Sequence, residues 1–233
     1  MKILALDSTA AVCSCAVCED EKILSVFTVN SGNTHSETLL PMIEASLRML
    51  SLEVCDIDLF AFSEGPGSFT GVRIGAATLK GLAFGRNKPC VGVSTLKALA
   101  SNLSGMSGIV CPVMNARRNQ VYNAIYRACE KTLTELTADR AIGVPELEDE
   151  LASFKEPIYL VGDGDFLLYE SGKLNYAYVP EQLRAQSAAS VALCALADFR
   201  KGTAVSDSAV VPTYLRPSQA ERERNEKSSK ENI

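Results

Sequence analysis

The pattern of apolar and polar positions over residues 2–29 predicts three strands. Residues 2–8 and 12–18 are almost wholly apolar, which is typical of buried strands, and residues 22–29 alternate with a period of two. The connections between these segments are too short for a crossover, so we expect an antiparallel meander. The polar side chains of Asp7, Ser8 and Thr9 stand at its first turn.

A helical pattern follows the meander. Thr34 and Glu37 have the spacing of a capping box, which predicts a helix from this point to about Leu50. Its apolar face consists of Leu39, Leu40, Ile43, Leu47 and Leu50. Pro41 lies inside the pattern and is expected to kink the helix unless the helix begins later.

A glycine-rich turn joins the next strand, residues 58–62, to a helix predicted over 70–86. The turn, Gly65-Pro66-Gly67-Ser68, has two interpretations. It could hold a phosphate at the helix N-terminus, or it could dock the helix closely on the sheet. The Lys-Ser/Thr pair of a P-loop is missing, so the phosphate interpretation is not favoured by the motif itself. A short strand at 89–93 and a helix at 94–104, capped by Ser94, complete the first half.

The second half repeats this order of elements. Strands are predicted at 109–114, 120–127, 131–137 and 157–162, with helices near 145–154 and 187–200. Residues 102–108 are rich in Asn, Ser and Gly and mark a linker. We therefore expect a duplicated α/β fold with mixed sheets and flanking helices. The N-terminal lobe would span 1–104 and the C-terminal lobe 105–216, and the composition of residues 217–233 predicts a disordered tail.

The composition of the chain limits the functions it can have. The chain has 233 residues, 47% apolar and 22% charged, with a formal net charge of −5. It has no overall basic excess, so a role with nucleic acid is expected to act through a partner. No apolar run is long enough to span a membrane, and the first one is too short for a signal peptide, so we expect a cytoplasmic protein. Its eight cysteines are then thiols, and Cys15 and Cys18 would point to opposite faces of a strand rather than bind a metal together.

The sequence contains few residues that could form a catalytic or metal-binding site. An acid at the first hairpin of a two-lobe fold, here Asp7, is typical of ATP-dependent enzymes of the actin and hexokinase type, in which acids hold a metal near the phosphates. The matching position of the second hairpin holds Asn115, which brings no negative charge. The single histidine, His35, leaves no Ser-His-Asp, Cys-His or His-rich set, so a peptidase is disfavoured and we expect no metal site. A phosphotransferase using Asp7 and the Gly65–Gly67 loop remains an alternative.

The helix after the loop carries an unusual number of glycines. On a helical wheel, Gly71, Gly75, Thr78 and Gly85 fall on one face. Each glycine costs roughly 1 kcal/mol relative to alanine in a helix, so something should offset that cost. Close approach of another subunit's helix would do so, and so would packing on the chain's own sheet or on the first helix.

These motifs together resemble those of the TsaB (YeaZ) family. The likeness extends over about residues 1–216 and is most specific in the glycine-rich block. It rests on residues 3–8 (Ile-Leu-Ala-Leu-Asp-Ser), 35–41 (His-Ser-Glu-Thr-Leu-Leu-Pro), 65–75 (Gly-Pro-Gly-Ser-Phe-Thr-Gly-Val-Arg-Ile-Gly), 92–96, 116–118 with 121–122, and the closing Tyr214-Leu215-Arg216.

The resemblance implies a duplicated actin-like, RNase H-like fold and a subunit without catalysis of its own. Such a subunit is a scaffold or activator in the complex that makes N6-threonylcarbamoyladenosine at position 37 of tRNAs reading codons that begin with A. Its implied partners are TsaD, bound directly, and the ATPase TsaE, with a homodimer when it is alone and tRNA contacted only indirectly. The resemblance implies no cofactor for the isolated chain, and ATP or ADP only at a joint interface in the complex.

The resemblance also implies where sites lie. The partner interface would involve the N-lobe helices, at His35, Leu39, Ile43, Gly71, Ile74, Gly75, Thr78 and Gly85, and the residues nearest any nucleotide would be Asp7, Ser8, Gly65, Gly67 and Ser68. The stretch 94–99 lacks the metal-binding histidines of TsaD, which agrees with a subunit that has no metal site. Two departures from the family matter, because Asn115 and Gln120 stand where it usually has acids. Any cation or nucleotide role of those acids is thus in doubt here.

Overall fold

The first sheet is five-stranded and mixed. The computed structural model describes residues 1–130 and 132–216. The sheet has the order β3-β2-β1-β4-β5, with β1, β2 and β3 antiparallel and β4 and β5 parallel to β1. Its strands are β1 (Lys2–Asp7), β2 (Cys13–Glu19), β3 (Lys22–Val29), β4 (Leu59–Gly65) and β5 (Cys90–Ser94). The predicted meander is confirmed.

Two helices connect the parallel strands of this sheet. Helix α1 (His35–Met49) begins at the predicted capping box, where the Thr34 N–H donates to Glu37 Oε2 at 3.3 Å, and continues through Pro41. Helix α2 (Phe69–Ala83) begins after Ser68, whose hydroxyl accepts a hydrogen bond from Gly71 N. Helix α2 ends before Gly85, which the sequence had placed on its glycine face. Gly85 adopts a φ of +70°, which ends regular helix.

The second sheet repeats the order with four strands. It runs β8-β7-β6-β9, and β6 pairs antiparallel with β7 and parallel with β9. Its elements are β6 (Gly108–Asn115), β7 (Gln120–Cys129), β8 (Thr132–Gly143) and β9 (Ile158–Val161), with α3 (Thr95–Ser101) before the sheet and α4 (Val144–Leu151), α5 (Phe166–Ser171) and α6 (Ala188–Arg200) after β8. The predicted duplicated α/β fold with two mixed sheets is confirmed.

The helices and sheets form alternating layers. Helices α1 and α2 bury their apolar sides against one face of the first sheet, and α6 covers the other face. Helix α3 packs on the near face of the second sheet, while α4 and α5 cover its far face. Lys97 of α3 and Asp198 of α6 form an ion pair at 2.6 Å between the two inner helices.

Two helices pack across the predicted lobe boundary. The chain order places α3 with the first lobe and α6 with the second, yet α3 packs mainly on the second sheet and α6 on the first. Order along the chain does not decide which sheet an apolar helix covers, because a helix buries its apolar side against whichever face its connections let it reach. The lobe boundaries at 104 and 216 remain a prediction. In the structure, each of these two helices packs on the sheet of the other lobe.

The cysteines lie where the sequence analysis expects them. Cys15 packs in the core under α1 and α2, whereas Cys18 packs in the core under α6, so the two thiols lie on opposite faces of the sheet. All eight cysteines are free thiols. Residues 217–233, predicted to be a disordered tail, lie outside the described residues. In the described ranges, none of the helices has the length and apolar character to cross a membrane.

Candidate functional site

The turn between β1 and β2 is built around a buried carboxylate. Asp7 Oδ1 accepts hydrogen bonds from Thr9 N at 2.9 Å and from Thr9 Oγ1 at 2.8 Å. Asp7 Oδ2 accepts a hydrogen bond from the Ser63 hydroxyl on β4. Asp7 is 1% exposed, and both of its oxygens already accept hydrogen bonds from the protein. The carboxylate therefore stabilises the turn, and the geometry does not favour a direct contact with a metal–nucleotide ligand.

The buried carboxylate gives a prediction about pH. Burial raises the pKa of Asp7, opposed by the hydrogen bonds from Ser63 and Thr9 and by the nearby His35. The folded protein therefore binds more protons than the unfolded chain between the two pKa values, and the free energy of unfolding should fall as pH rises above about 4. Asp7→Asn should flatten this slope, because the amide oxygen still accepts from Thr9 and the side chain carries no charge. Urea unfolding from about pH 4.5 to 8 measures both slopes.

Comparing the two curves isolates Asp7. Burial also raises the pKa values of Glu64 and Asp139, and these groups contribute to both proteins and cancel in the difference. A wild-type stability that rises over this pH range, together with a variant destabilised most at high pH, would contradict the assignment, since an ionised Asp7 would then be the stabilising form.

The glycines of the loop and of α2 face this turn. A Cβ added at Gly67 or Gly71 would lie less than 3.0 Å from the backbone oxygen of Thr9 or Ser8, respectively. A Cβ at Gly75 would lie 2.7 Å from Ser8 Oγ, which itself donates to Gly71 O at 2.8 Å. Of the two interpretations of the turn, tight docking of the helix explains these glycines. The structure corrects the expectation that Gly71 and Gly75 face a partner, because their own chain already covers them.

The predicted interface residues of α1 are also covered. Leu39 and Ile43 are each 1% exposed and lie in the core between α1, α2 and the sheet. They cannot contact a partner without unfolding, so their assignment to the interface is wrong. His35 is half-buried, and its Nε2 lies 2.6 Å from Ala10 O, which fits a structural role at the helix start.

A different side of the same helices faces outward. On α2 the exposed positions recur at Arg73, Ala77, Gly81 and Phe84, three or four residues apart, so they form one stripe. Ile74 and Thr78, predicted for the interface, are half-buried at its border. On α1, Leu40 and Met49 are 45% and 72% exposed, and Phe84 is 77% exposed. Leu40 and Met49 lie nine positions apart, on opposite sides of α1, so they do not form one stripe with each other. We call the exposed stripe of α2 the outer helix face, and it is defined by Arg73, Ala77, Gly81 and Phe84.

A cleft of about 710 Å³ separates the lobes. The first lobe contributes residues 9–11 and 66–70, and the second lobe contributes residues 114–117, Tyr122 and Asp163. Of the five residues expected to lie near a nucleotide, Gly67 and Ser68 line the cleft. Asp7, Ser8 and Gly65 are buried behind its wall. Among the described residues, no group of three or more His, Cys, Asp or Glu side chains is placed to hold a metal.

The C-terminal segment of the described chain, residues 211–216, closes one side of the cleft as a strap. Thr213 N donates to Glu64 O at 2.7 Å on the first lobe. The Tyr214 ring lies 4.9 Å from that of Phe69, and Arg73 Nε donates to the Tyr214 hydroxyl at 2.9 Å. A third contact reaches the second lobe, where Arg216 donates to Ala116 O at 3.3 Å and to the Gln120 side chain. The strap thus ties the loop after β4 to the β6–β7 hairpin.

Removing the aromatic anchor of the strap should weaken the fold. Tyr214→Ala loses the stacking on Phe69 and one hydrogen bond, and we expect the free energy of unfolding to fall by about 1–3 kcal/mol. Tyr178→Ala is the matched control, since Tyr178 is 82% exposed and should change stability by no more than about 0.5 kcal/mol. Urea titrations compare the two. Equal effects would show that the strap adds nothing to stability.

The strap residues Tyr214, Leu215 and Arg216 contribute to the family resemblance, but the sequence predicts no contacts for them. Tyr214-Leu215-Arg216 is an apolar and basic motif, but its partners Phe69, Arg73 and Gln120 are far away in the chain. Only the tertiary structure brings them together. The conformation of the second hairpin was not predicted from the sequence either. Asn115 Oδ1 accepts a hydrogen bond from Arg117 N at 2.8 Å, and residues 117–119 all have positive φ angles.

Comparison with known proteins identifies the family. The family model described as "TsaD: tRNA N6-adenosine threonylcarbamoyltransferase" matches residues 29–157. An Escherichia coli (strain K12) protein, named tRNA threonylcarbamoyladenosine biosynthesis protein TsaB, is 35% identical over 64% of this chain and 65% of its own length. A protein of the same name from Buchnera aphidicola subsp. Schizaphis graminum is 32% identical over 70% of this chain and 78% of its own length. The chain belongs to the TsaB family. The matched segment spans just under two thirds of the E. coli relative.

A solved structure extends the likeness over nearly the whole chain. YeaZ from Pseudomonas aeruginosa superposes with a TM-score of 0.73 at 26% identity, covering 92% of this chain and 99% of that one. The expected resemblance to TsaB (YeaZ) is therefore confirmed. In this TsaB-family chain, the two residues that replace the usual acids make structural hydrogen bonds. Asn115 Oδ1 accepts one from Arg117 N within the hairpin, and the Gln120 side chain accepts one from Arg216.

Proposed function

We propose that this chain is a non-catalytic scaffold subunit for the synthesis of N6-threonylcarbamoyladenosine on tRNA, and that it acts by pairing with TsaD through the outer helix face. The observation that carries the proposal is this face, where the small residues Ala77 and Gly81 leave α2 flat and the Phe84 side chain is 77% exposed at its end. A flat helix face beside an exposed aromatic ring allows a helix of another protein to pack closely against it.

The chemistry of the cleft supports a role without catalysis. The oxygens of Asp7 are occupied by Thr9 and Ser63. Asn115 offers an amide where a metal–nucleotide site of this fold type would need an acid. A phosphotransferase would require Asp7 to turn away from three hydrogen bonds, at a cost of about 1 kcal/mol or more for each. Scaffolding makes no such demand, and the chain would work without an ATP cofactor of its own.

The likeness between this chain and the TsaD family model supports the mode of pairing. The match over residues 29–157 includes both α1 and α2. A partner of the same fold would present an equivalent helix pair, so the two pairs could pack about an approximate two-fold axis. The same surface would let two copies of this chain form a homodimer when TsaD is absent, and the two complexes would then exclude each other.

The rest of the proposed assembly is what the resemblance to the TsaB family implies, together with the charge of the chain. TsaE would join the pair as the ATPase, and ATP or ADP would bind only at a joint interface. With a net charge of −5, this subunit would meet tRNA indirectly, through TsaD. The assembly would work in the cytoplasm.

Size-exclusion chromatography with light scattering tests the pairing. The chain alone should change from monomer to dimer as its concentration rises. Addition of equimolar TsaD should replace both species by a 1:1 heterodimer. If the two proteins elute separately at concentrations of tens of micromolar, the proposed pairing is wrong. Titration calorimetry with Mg-ATP covers the alternative function, and a heat of binding that disappears in Asp7→Ala would favour a phosphotransferase.

A further inference from the structure

One charged side chain of the outer helix face is held in a fixed position. The Arg73 guanidinium carbon lies 3.8 Å from the centre of the Phe69 ring, and Arg73 Nε donates to the Tyr214 hydroxyl at 2.9 Å. An exposed arginine ordinarily samples many rotamers, and ordering it on binding costs free energy. Here the strap provides a second anchor beside the ring, so the side chain is ordered before a partner arrives.

The fixed guanidinium keeps two nitrogens for a partner. Among the described residues, Arg73 forms one side-chain hydrogen bond, through Nε, and it takes part in no ion pair. Phe69 and Tyr214 line the cleft between the lobes, whereas Arg73 does not. The terminal nitrogens Nη1 and Nη2 are thus a pair of donors on an exposed residue of α2. Such a pair matches the two oxygens of a carboxylate.

The charges around Arg73 distinguish between possible anions. Helix α2 has no acidic residue, and its charged side chains are Arg73 and Lys80. The neighbouring helix α1 exposes Glu37 and Glu44, which would repel a chain of phosphates. Beyond Arg73, the outer helix face continues with small and aromatic residues, which fit the packing of a helix and not a nucleic-acid backbone. The occupant of this face is therefore a protein helix that carries a single acidic residue near one end.

We propose that Arg73 selects the partner: its two terminal nitrogens bind an aspartate or glutamate on the TsaD helix that packs on the outer helix face. Tyr214 is a positioning residue for Arg73. The proposal rests on the pairing with TsaD proposed above and adds the chemistry that the partner must present. Charge complementarity at the edge of an apolar contact fixes the orientation of the two proteins and disfavours partners that lack the acid. The strap, far from α2 in the sequence, then contributes to the interface.

Calorimetry of the full chain with TsaD at low salt tests the role of Arg73. Arg73→Gln should weaken binding by about tenfold or more, and Arg73→Glu by about a hundredfold or more, because the latter places two carboxylates together. Arg73→Lys keeps the charge without the paired donors and should lie between the wild type and Arg73→Gln. Arg118→Gln is the matched control, an exposed arginine of the second-lobe hairpin, and should stay within about twofold of the wild type.

The dependence of binding on salt separates an ion pair from lost packing. Raising the NaCl concentration should weaken the wild-type complex more than the Arg73→Gln complex, because salt screens an ion pair and the variant has none to screen. The same dependence on salt in both proteins would show that Arg73 contributes only packing, and the proposal would be wrong.

Tyr214→Phe tests the positioning role. The ring can still stack on Phe69, but Arg73 Nε loses its acceptor, so TsaD should bind about threefold or more weaker while the melting temperature stays close to the wild-type value. In the Arg73→Gln background the same change should have no further effect, because the two residues act through one contact. Losses that simply add would show that Tyr214 acts independently of Arg73. Tyr178→Phe, a change at a tyrosine that is 82% exposed, is the control.

The outcomes distinguish this proposal from the scaffold function. Normal TsaD binding by Arg73→Gln and Arg73→Glu, together with loss of binding in Ala77→Arg, would overturn the role of Arg73 and leave the pairing standing. Normal TsaD binding with weaker retention of tRNA by the complex would show that Arg73 holds a phosphate, which also overturns the proposal. If the wild-type chain itself does not bind TsaD, both proposals are wrong.

Discussion

Gly71→Ala is expected to lower the free energy of unfolding by at least about 3 kcal/mol, the upper end of the usual cost of overpacking a core. The added Cβ would lie less than 3.0 Å from the backbone oxygen of Ser8, which cannot move aside without disturbing the turn held by Asp7. Helix α2 would have to shift away from the sheet, and the loop that begins it would shift as well. Urea unfolding followed by circular dichroism measures the loss.

Substitutions at two other glycines of the same helix provide the comparison for the stability loss in Gly71→Ala. Gly75→Ala should cost less, because its Cβ would meet the Ser8 hydroxyl, the end of a side chain that can rotate. Gly81→Ala meets nothing within 4 Å and should be neutral or stabilise by up to about 1 kcal/mol, the difference in helix propensity. Equal effects at Gly71 and Gly81 would contradict the close packing of α2 on the β1–β2 turn.

Ala77→Arg is expected to abolish binding to TsaD in a pull-down and to weaken it by about a hundredfold or more in calorimetry, since a charge would be buried without a partner in a helix–helix interface. Ala77 lies in the middle of the exposed stripe of α2, so an arginine there is tolerated by the isolated fold. Gly75→Arg, which the glycine pattern suggests as the obvious interface variant, would instead clash with Ser8 and test only folding.

Ala152→Arg provides the matched control for this experiment. Ala152 is an exposed alanine at the end of α4 in the second lobe, away from the outer helix face. It should bind TsaD as the wild type does, and both variants should melt at the wild-type temperature. Normal binding by Ala77→Arg, or an equal loss in both variants, would show that the outer helix face is not the contact surface.

Much of the fold could be predicted because local patterns and packing agree. Apolar runs give the strands, and the Thr34–Glu37 spacing gives the start of α1 within a residue. The positions of α3 and α6 could not be predicted, because both helices are apolar on a broad side and either sheet could have covered them. Helix α5 was missed altogether. It is short, and only Leu168 of its residues is buried, so its periodicity carries little signal.

The candidate site was harder to predict than the fold, for a specific physical reason. A small-residue stripe says that something approaches a helix closely, but it does not say what. At Gly71 and Gly75 the approaching group is Ser8, a residue that the sequence had assigned to a nucleotide site. The resemblance also assigned Leu39 and Ile43 to the interface, although the periodicity that makes a helix amphipathic places such residues in the core.

Formation of N6-threonylcarbamoyladenosine on tRNA in a reconstituted mixture tests the scaffold role most directly. The mixture contains TsaD, TsaE, ATP, a threonylcarbamoyl donor and tRNA, and the modified nucleoside is measured by mass spectrometry with and without this chain. The scaffold account predicts that the product forms only when the chain is present, that Ala77→Arg fails to support it, and that Asp7→Asn supports it as the wild type does. Product at the same rate without the chain, or a loss of activity in Asp7→Asn despite normal folding and TsaD binding, would contradict it.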